Sequence, residues 1–472
     1  MKLYESLAGQ LETSIRTGVL QPGDKMPSVR RTSSSRGVSP ATVFQAYYLL
    51  EARGLIRARE RSGYFVAPGD RPMPEPRQVS APPDASVEPD VFDSVFEVLE
   101  ATMRRNVVPF GSALPWPGLY PLQRLGKSMA AAARTLTPWS TVDEMSPGKE
   151  VLRRHIAARY TADGMTVHPD EIVITNGALE ALNLCLATVA RPGDTVIVES
   201  PTFYGALQAL QRMGMRVLEV PTHPCHGVDL PALEEAIDRH APKACWLMPT
   251  FQNPLGCTMP VAAKQALVAL LARRRIPLIE DDVYGELYFG EQRVPPAKCY
   301  DQEGLVLHCS SFSKSLAPGY RVGWVAAGRY ARAVARQKLS TTLATSAPAQ
   351  LGLARYLGSG GYDRHLRKLR ETLAAQYRAM AQTVARHFPE GTEATRPEGG
   401  YLLWVVLPGE IDAMELYRRA LARRVSVAPG PIFSATGRFR NCIRLNFGHP
   451  QDARGQRALE QLGVCVRELA GS

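Results

Sequence analysis

The chain has 472 residues, more than a single hydrophobic core usually holds, so two or three folding units are expected. Its 45% hydrophobic, 21% charged and 7% aromatic residues lie near soluble globular averages and exclude fibrous, collagen-like and wholly disordered classes. The formal net charge of +11 favours a polyanionic partner such as nucleic acid.

No apolar run approaches the roughly 20 residues that cross a bilayer, and Met1-Lys2-Leu3-Tyr4-Glu5 carries neither an apolar h-region nor a cleavage site. The expectation is a cytoplasmic protein with no membrane segment. Eight cysteines, none in a C-x-x-C pair, point to reduced thiols and to no metal site.

In chain order, Leu3, Leu7, Leu11 and Ile15 recur every four residues and predict a first helix closed by Gln21-Pro22-Gly23. Ser39 suits the cap of a later helix and Pro40 its first turn, with Val43, Tyr47 and Leu50 on one face and Gly54 as the stop. Its opposite face, Ala41, Thr42 and Gln45, is small and polar, as a reader of the major groove requires. Runs at 55–59 and 64–66 flank Glu60-Arg61-Ser62-Gly63 and predict a small basic hairpin. Residues 1–70 carry ten Lys and Arg against six Asp and Glu.

This pattern resembles the winged helix-turn-helix domain of the GntR regulators over residues 1–67. The resemblance rests on Gln21-Pro22-Gly23-Asp24, Met26-Pro27-Ser28-Val29-Arg30, Gly37-Val38-Ser39, Ala46-Tyr47, Leu50-Glu51, Gly54-Leu55-Ile56 and Ser62-Gly63-Tyr64-Phe65-Val66. It implies that Arg30, Thr42, Gln45 and Arg61 contact double-stranded DNA. One departure stands at Arg31-Thr32-Ser33-Ser34-Ser35-Arg36, where the family usually places apolar residues. Serines form helices poorly and bury little, so the second helix is expected to be weakly held.

Residues 68–90 hold Pro68, Pro72, Pro74, Pro76, Pro82, Pro83 and Pro89 with no apolar period. They read as an extended, semi-rigid spacer. From about residue 171 onward, β-branched runs at 171–175, 194–199, 216–220, 244–248, 278–281, 305–308 and 321–326 alternate with helical stretches such as 178–190 and 204–213. Such alternation predicts an α/β fold with a mostly parallel sheet covered on both faces, with ligands held at strand ends.

Four of those ends carry chemistry: Asn176-Gly177-Ala178-Leu179-Glu180, Thr250-Phe251-Gln252-Asn253-Pro254, Leu278-Ile279-Glu280-Asp281-Asp282-Val283-Tyr284, and Ser310-Ser311-Phe312-Ser313-Lys314 with Arg321 beyond it. Together they resemble the type I pyridoxal-phosphate fold of the aspartate aminotransferase group over residues 91–472. A large part at about 150–345 and a small α+β part at about 91–125 with 346–472 are expected. The resemblance implies an aldimine at Lys314, since only a primary amine forms a Schiff base. It implies Asp281 at the pyridine nitrogen, Asn253 and Tyr284 at the phenolic oxygen, and Phe203 stacked on the ring. It also implies Gly177, Ala178, Leu179, Ser311, Ser313 and Arg321 around the phosphate. Asp282 is the competitor for the role of Asp281, set aside because Asp281 has the family's spacing to Tyr284. Arg444, inside the apolar run 442–447, needs an anionic partner; by resemblance it binds an α-carboxylate.

A GntR-like head, a proline-rich linker and an aminotransferase-like body in this order resemble the MocR/GabR family of bacterial regulators, and stretches such as 178–184 and 309–314 resemble its YdcR-type members. The resemblance implies a homodimeric DNA-binding regulator that senses an amino acid or amine at Lys314 through pyridoxal phosphate. The alternative is an aminotransferase acting on an amino acid and a 2-oxo acid, with a head that has lost DNA binding; a third reading makes the cofactor itself the effector. Two departures bear on turnover: Asp143-Glu144-Met145-Ser146 lacks the aromatic that many aminotransferases place there, and Asn176 stands where serine or threonine is usual.

Overall fold

The structure is a computed structural model, and it describes residues 3–21, 23–52, 55–59, 62–66, 73–139 and 147–471. The head contains helices Leu3–Arg16, Val29–Arg36 and Pro40–Ala52, followed by strands Ile56–Arg59 and Gly63–Val66. The strands pair antiparallel, with Ile56 opposite Val66. Leu7, Leu11, Val43, Tyr47, Leu50, Ile56 and Val66 share one core, which is the set the helical and strand periods predict. Leu3 is 62% exposed, because the first turn of its helix runs past the edge of that core. The turn before the second helix is stitched to the hairpin, with Met26 N donating to Tyr64 O at 2.8 Å and Val66 N to Asp24 O at 2.8 Å.

The second helix is better anchored than its serines suggest. Ser28 caps it by accepting from Arg31 N at 3.2 Å, and Gly37, at φ 64°, ends it in the left-handed region that glycine adopts without strain. Thr32 is buried, and its hydroxyl lies 2.9 Å from the hydroxyl of Tyr47, which donates to Pro27 O at 2.6 Å. A satisfied hydrogen-bond chain docks the helix in place of apolar side chains.

The described part of the proline-rich stretch, residues 73–90, has no helix and lies along the body instead of standing free. Val87 exchanges both backbone hydrogen bonds with Val217, at 2.9 and 2.8 Å, and Ser80 N donates to Thr222 O at 3.2 Å. At its head-proximal end Pro74 O accepts from Ala394 N at 3.0 Å, and Met73 O accepts from Arg396 at 3.1 Å. The physical reason is that Gly227–Val228 pairs only with Thr222 and His223, so the rest of Arg216–His223 is an open sheet edge. Val87 and Ser80 bond to that edge, while the prolines around them have no N–H to donate onward, so the stretch covers the edge without extending the sheet.

The body is built on an eight-stranded sheet in the spatial order Ile172–Thr175, Gly323–Ala326, Val306–Ser311, Leu278–Asp281, Ala244–Leu247, Thr195–Ser200, Arg216–His223 and Gly227–Val228. The four inner pairings, which join the five strands from Val306–Ser311 to Arg216–His223, are parallel, whereas Gly323–Ala326 runs antiparallel to both its neighbours. The strand residues are buried almost throughout, as expected for a sheet with helices on both faces. A second sheet of Glu393–Ala394, Leu402–Val406, Cys442–Asn446 and Ala428–Pro429 is antiparallel. Helix Ala347–Gly358, grouped with the small part on sequence, shares a core with Ile172, Ile174 and Trp324 of the large sheet. Among the described residues no helix is long and apolar enough to cross a membrane, and no metal-binding cluster occurs.

Candidate cofactor site and DNA-binding face

The strand ends converge on a cavity of about 260 Å³ lined by Ala178, Leu179, Phe203, Asn253, Asp281, Tyr284, Ser311, Ser313, Lys314 and Arg321. Ten of the eleven residues expected around the cofactor therefore face one space. The eleventh, Gly177, lies directly beneath Arg321: a Cβ there would stand 2.5 Å from Arg321 Nη2. Gly177 precedes helix Ala178–Val189 at φ 94° with no side-chain cap. Arg321 Nη2 also donates to Asn176 O at 2.9 Å. A Cβ on Gly323 would meet Gly177 C at 2.6 Å and Ala178 N at 2.7 Å. Two glycines thus let a guanidinium and two backbone segments close around a helix N-terminus, a ready anion cradle.

Lys314 follows the strand Val306–Ser311, and its Nζ donates to Ala113 O at 2.7 Å. Burial holds its amine down at about 8, with the Arg444 and Arg321 charges adding to the effect and Asp281 opposing it. Asp281 ends the strand Leu278–Asp281 and is 1% exposed. Burial is the main cause lifting its carboxyl to about 7, the charge of Lys314 works against it, and Asp282 adds to the rise. Asp281 Oδ1 has no hydrogen-bond partner, and neither has Ser313 Oγ.

The neighbouring carboxylate behaves differently. Asp282 does not line the cavity; its Oδ2 receives Arg293 at 2.7 Å and His308 Nε2 at 3.0 Å. His308 Nδ1 lies 2.7 Å from the Tyr160 hydroxyl. Alternation along the chain sends one carboxylate into the cavity and the other into a polar network behind it.

Arg444 is fully buried behind the lining, with Nη1 on Asn253 Oδ1 at 2.9 Å, Nη2 on Gly111 O at 2.6 Å and Nε unpartnered. A second cleft of about 740 Å³ shares Ala113, Leu114, Tyr204 and Lys314 with the cavity. Several lining residues escape the sequence reading. Tyr204 sits next to Phe203 at the start of a helix and was within reach of the same motif. Ala113 and Leu114 come from an arm with no periodic pattern, and only the fold brings them to Lys314. Asn176 is bound by its helix: its backbone N donates to Glu180 Oε2 at 2.5 Å and its Nδ2 to Oε1 at 3.2 Å. The segment 143–146 lies outside the described residues.

In the head, Arg30 and Gln45 are exposed and Thr42 is half-buried. Ser39 accepts from Thr42 N at 3.2 Å and pairs with the Thr42 hydroxyl at 2.9 Å, so the expected cap forms. Arg61 lies outside the described residues.

An unpaired carboxylate oxygen facing a lysine amine, with an anion cradle at the same cavity, fits a phosphorylated, nitrogen-bearing aldehyde cofactor. Comparison with known proteins agrees. Residues 140–462 match the aminotransferase class I and II family and residues 3–66 the bacterial regulatory proteins of the gntR family. The chain is 47% identical to the HTH-type transcriptional regulator YdcR of Escherichia coli over 99% of this chain and 100% of that one. It is 39% identical to the regulator YjiR of the same organism over 99% of each chain. Its fold is similar to that of an alpha-aminoadipate aminotransferase from Thermus thermophilus, solved with N-(5'-phosphopyridoxyl)-L-leucine. That likeness has a TM-score of 0.72 and 31% identity, and it covers 80% of this chain and 95% of that one. By fold, by site and by relatives, the chain belongs to the aminotransferase class I and II family through its pyridoxal-phosphate body and, with its GntR-type DNA-binding head, to the MocR/GabR-type transcriptional regulators.

Proposed function

We propose that the chain is a cytoplasmic, homodimeric regulator whose head, residues 1–67, binds a double-stranded DNA operator and whose body, residues 91–472, senses an amino acid or amine at Lys314. The observation that carries this reading is the pairing of an unpartnered Asp281 Oδ1 with a depressed Lys314 amine in one cavity, on a chain with a capped, folded head. Pyridoxal phosphate, when bound, supplies an aldehyde that captures primary amines and a ring that withdraws electrons. Lys314, neutral in substantial fraction near pH 8, serves as the nucleophile. Asp281 holds a proton at the ring nitrogen, while Asn253 and the hydroxyl of Tyr284 donate to the phenolic oxygen. Gly177, Ala178 and Leu179 present backbone N–H groups to the phosphate, joined by Ser311, Ser313 and Arg321. Phe203 flanks the ring, and the Arg444 fork takes an incoming α-carboxylate.

Coupling to the head runs through residues 68–90. Within them Pro74 and Met73 are held by Ala394 and Arg396 of the small part, while Val87 is fixed to the large sheet. Movement of the small part over a bound amine displaces Met73 and Pro74, a few residues from the hairpin. A tenfold shift in DNA affinity needs only about 1.4 kcal/mol of differential effector binding. Exposed Trp116, Leu179 and Leu343, at 45%, 49% and 60%, suit a subunit interface near the cavity.

The test is fluorescence anisotropy of the full-length holoprotein on DNA from upstream of its own gene, across a salt series, beside Lys314→Ala. Salt-dependent binding above random DNA, with an amine response absent from Lys314→Ala, is expected. No preference over random DNA at any salt would sink the regulator. The complete cofactor set supports a second reading, an aminotransferase; sustained turnover of an amino acid with a 2-oxo acid and no DNA preference would establish it instead.

A further inference from the structure

Helix Pro40–Ala52 divides its residues cleanly. Val43, Ala46, Tyr47 and Leu50 are buried in the head core. The three- and four-residue spacing puts Ala41, Phe44, Gln45 and Tyr48 together on the outer face. Phe44 is 45% exposed and Tyr48 62% exposed, although a small domain has little aromatic surface to spare. Phe44 lies in the second turn from the capped N-terminus, one residue before exposed Gln45 and three after the small Ala41. Lys25, Arg30 and Arg57, in the turn, the second helix and the hairpin of the same small domain, are exposed too. An exposed apolar ring beside an amide, on a small domain with exposed cations, fits duplex DNA better than a protein groove.

The chemistry of the groove narrows the choice. Thymine alone among the four bases presents an apolar group, its C5-methyl, in the major groove, and adenine alone matches an amide side chain through N6 and N7. Thr42, whose hydroxyl is already shared with Ser39, is left to the phosphate side of the helix. We infer that Phe44 and Gln45 form an A·T-reading pair, Phe44 against a thymine methyl and Gln45 bidentate on an adjacent adenine, so that each half-site carries A·T pairs beneath the third helix. The inference rests on the DNA-binding reading and adds to it which bases the head selects.

The experiment selects duplexes from a randomised pool on the full-length holoprotein, then replaces the thymines of the selected core with uracil, which removes only the methyl group. Binding is read by anisotropy for the wild-type chain, Phe44→Ala, Phe44→Leu and Gln45→Ala. The wild type should lose about tenfold in affinity for the uracil duplex. Phe44→Ala should bind thymine and uracil duplexes alike, with the salt slope unchanged, and Phe44→Leu should regain part of the methyl sensitivity. Gln45→Ala should lose its preference for adenine. Equal binding of both duplexes by the wild type, or undiminished affinity in Phe44→Ala with a selected sequence in hand, would overturn the base assignment while leaving the regulator intact. A pool that yields no enriched sequence would overturn the regulator and this assignment with it.

Discussion

Head and body bury polar groups to opposite ends. In the head, the buried Thr32 hydroxyl is matched by Tyr47, and Tyr47 by Pro27 O, so the polar chain is complete and serves to hold a helix. In the body, Asp281 Oδ1, Ser313 Oγ and Arg444 Nε are buried at or behind one cavity without partners. Unsatisfied groups cost about 1–3 kcal/mol each, and more when charged, so three of them gathered at one cavity suit a ligand that completes them. Adjacent Asp281 and Asp282 each leave Oδ1 without a partner, but they differ in charge pairing. Asp282 Oδ2 is met by Arg293 and His308, which hold its carboxyl down despite burial, whereas burial lifts Asp281. Close cationic partners mark the structural carboxylate, and a carboxyl without them, aimed into a cavity, marks the site.

The strongest way to break that distinction is Asp281→Asn. Because the carboxyl of Asp281 sits at about 7 in the folded apoprotein against an ordinary 3.8, the stability it contributes is fully present below 3.8 and is lost as pH rises through about 7. At pH 8 the apo variant should therefore be more stable than the wild type, by about 4 kcal/mol at most, and the advantage should vanish near pH 4. With cofactor bound the order should reverse, since the ring nitrogen loses its anionic partner. Thermal melts of apo and holo forms at both pH values check this. Asp282→Asn should instead destabilise both forms at pH 8.

Lys314 sharpens the comparison next. Its amine at about 8 means that the neutral fraction, and with it the rate at which apoprotein takes up pyridoxal phosphate, should rise about 100-fold between pH 6 and pH 9 and level above pH 8. Stopped-flow absorbance would follow it. A rate still climbing tenfold per pH step beyond pH 9 would mean a solvated lysine and an open site.

These residues were legible because strand ends in an alternating fold are where ligands bind, and Asn253, Asp281, Lys314 and Arg321 each stand within a few residues of one. Ala113 and Leu114 were not legible, since their place depends on an irregular arm crossing the sheet. The head's core followed from helical spacing, and the Ser39 cap from its position before Pro40. Its second helix did not follow, because a threonine–tyrosine contact fifteen residues apart leaves no local pattern. Nor did the docking of residues 73–90, which is set by an open strand edge more than a hundred residues away.

Tyr47→Phe tests the completed network of the head. It removes one hydroxyl and leaves the buried Thr32 hydroxyl and the half-buried Pro27 O without their partner, so the head should lose about 1–3 kcal/mol. Hydrogen exchange in residues 29–36 should accelerate and DNA affinity should fall, while cofactor retention stays unchanged. Thr32→Val in the same background should restore part of the loss, because an apolar pair replaces an orphaned hydroxyl.

The smallest effect separates the two regions by size rather than by polarity. Ser39 caps the third helix of the head by accepting from Thr42 N at 3.2 Å, and Asp229 caps helix Leu230–His240 of the body by accepting from Ala232 N at 2.9 Å. Each cap is worth about 1 kcal/mol, roughly a fivefold change in the population of an opened state. The body absorbs such a loss across a large core, whereas the head rests on one small cluster whose stability scales poorly with its size. Ser39→Ala should thus speed hydrogen exchange through the whole head about fivefold and weaken DNA binding by less than that. Asp229→Ala should accelerate exchange only in the first turn of its own helix and change neither cofactor retention nor DNA binding. Equal, local responses at both caps would mean that the head is as firmly held as the body, and that its few hydrogen bonds to the second helix supply more cooperativity than their number implies.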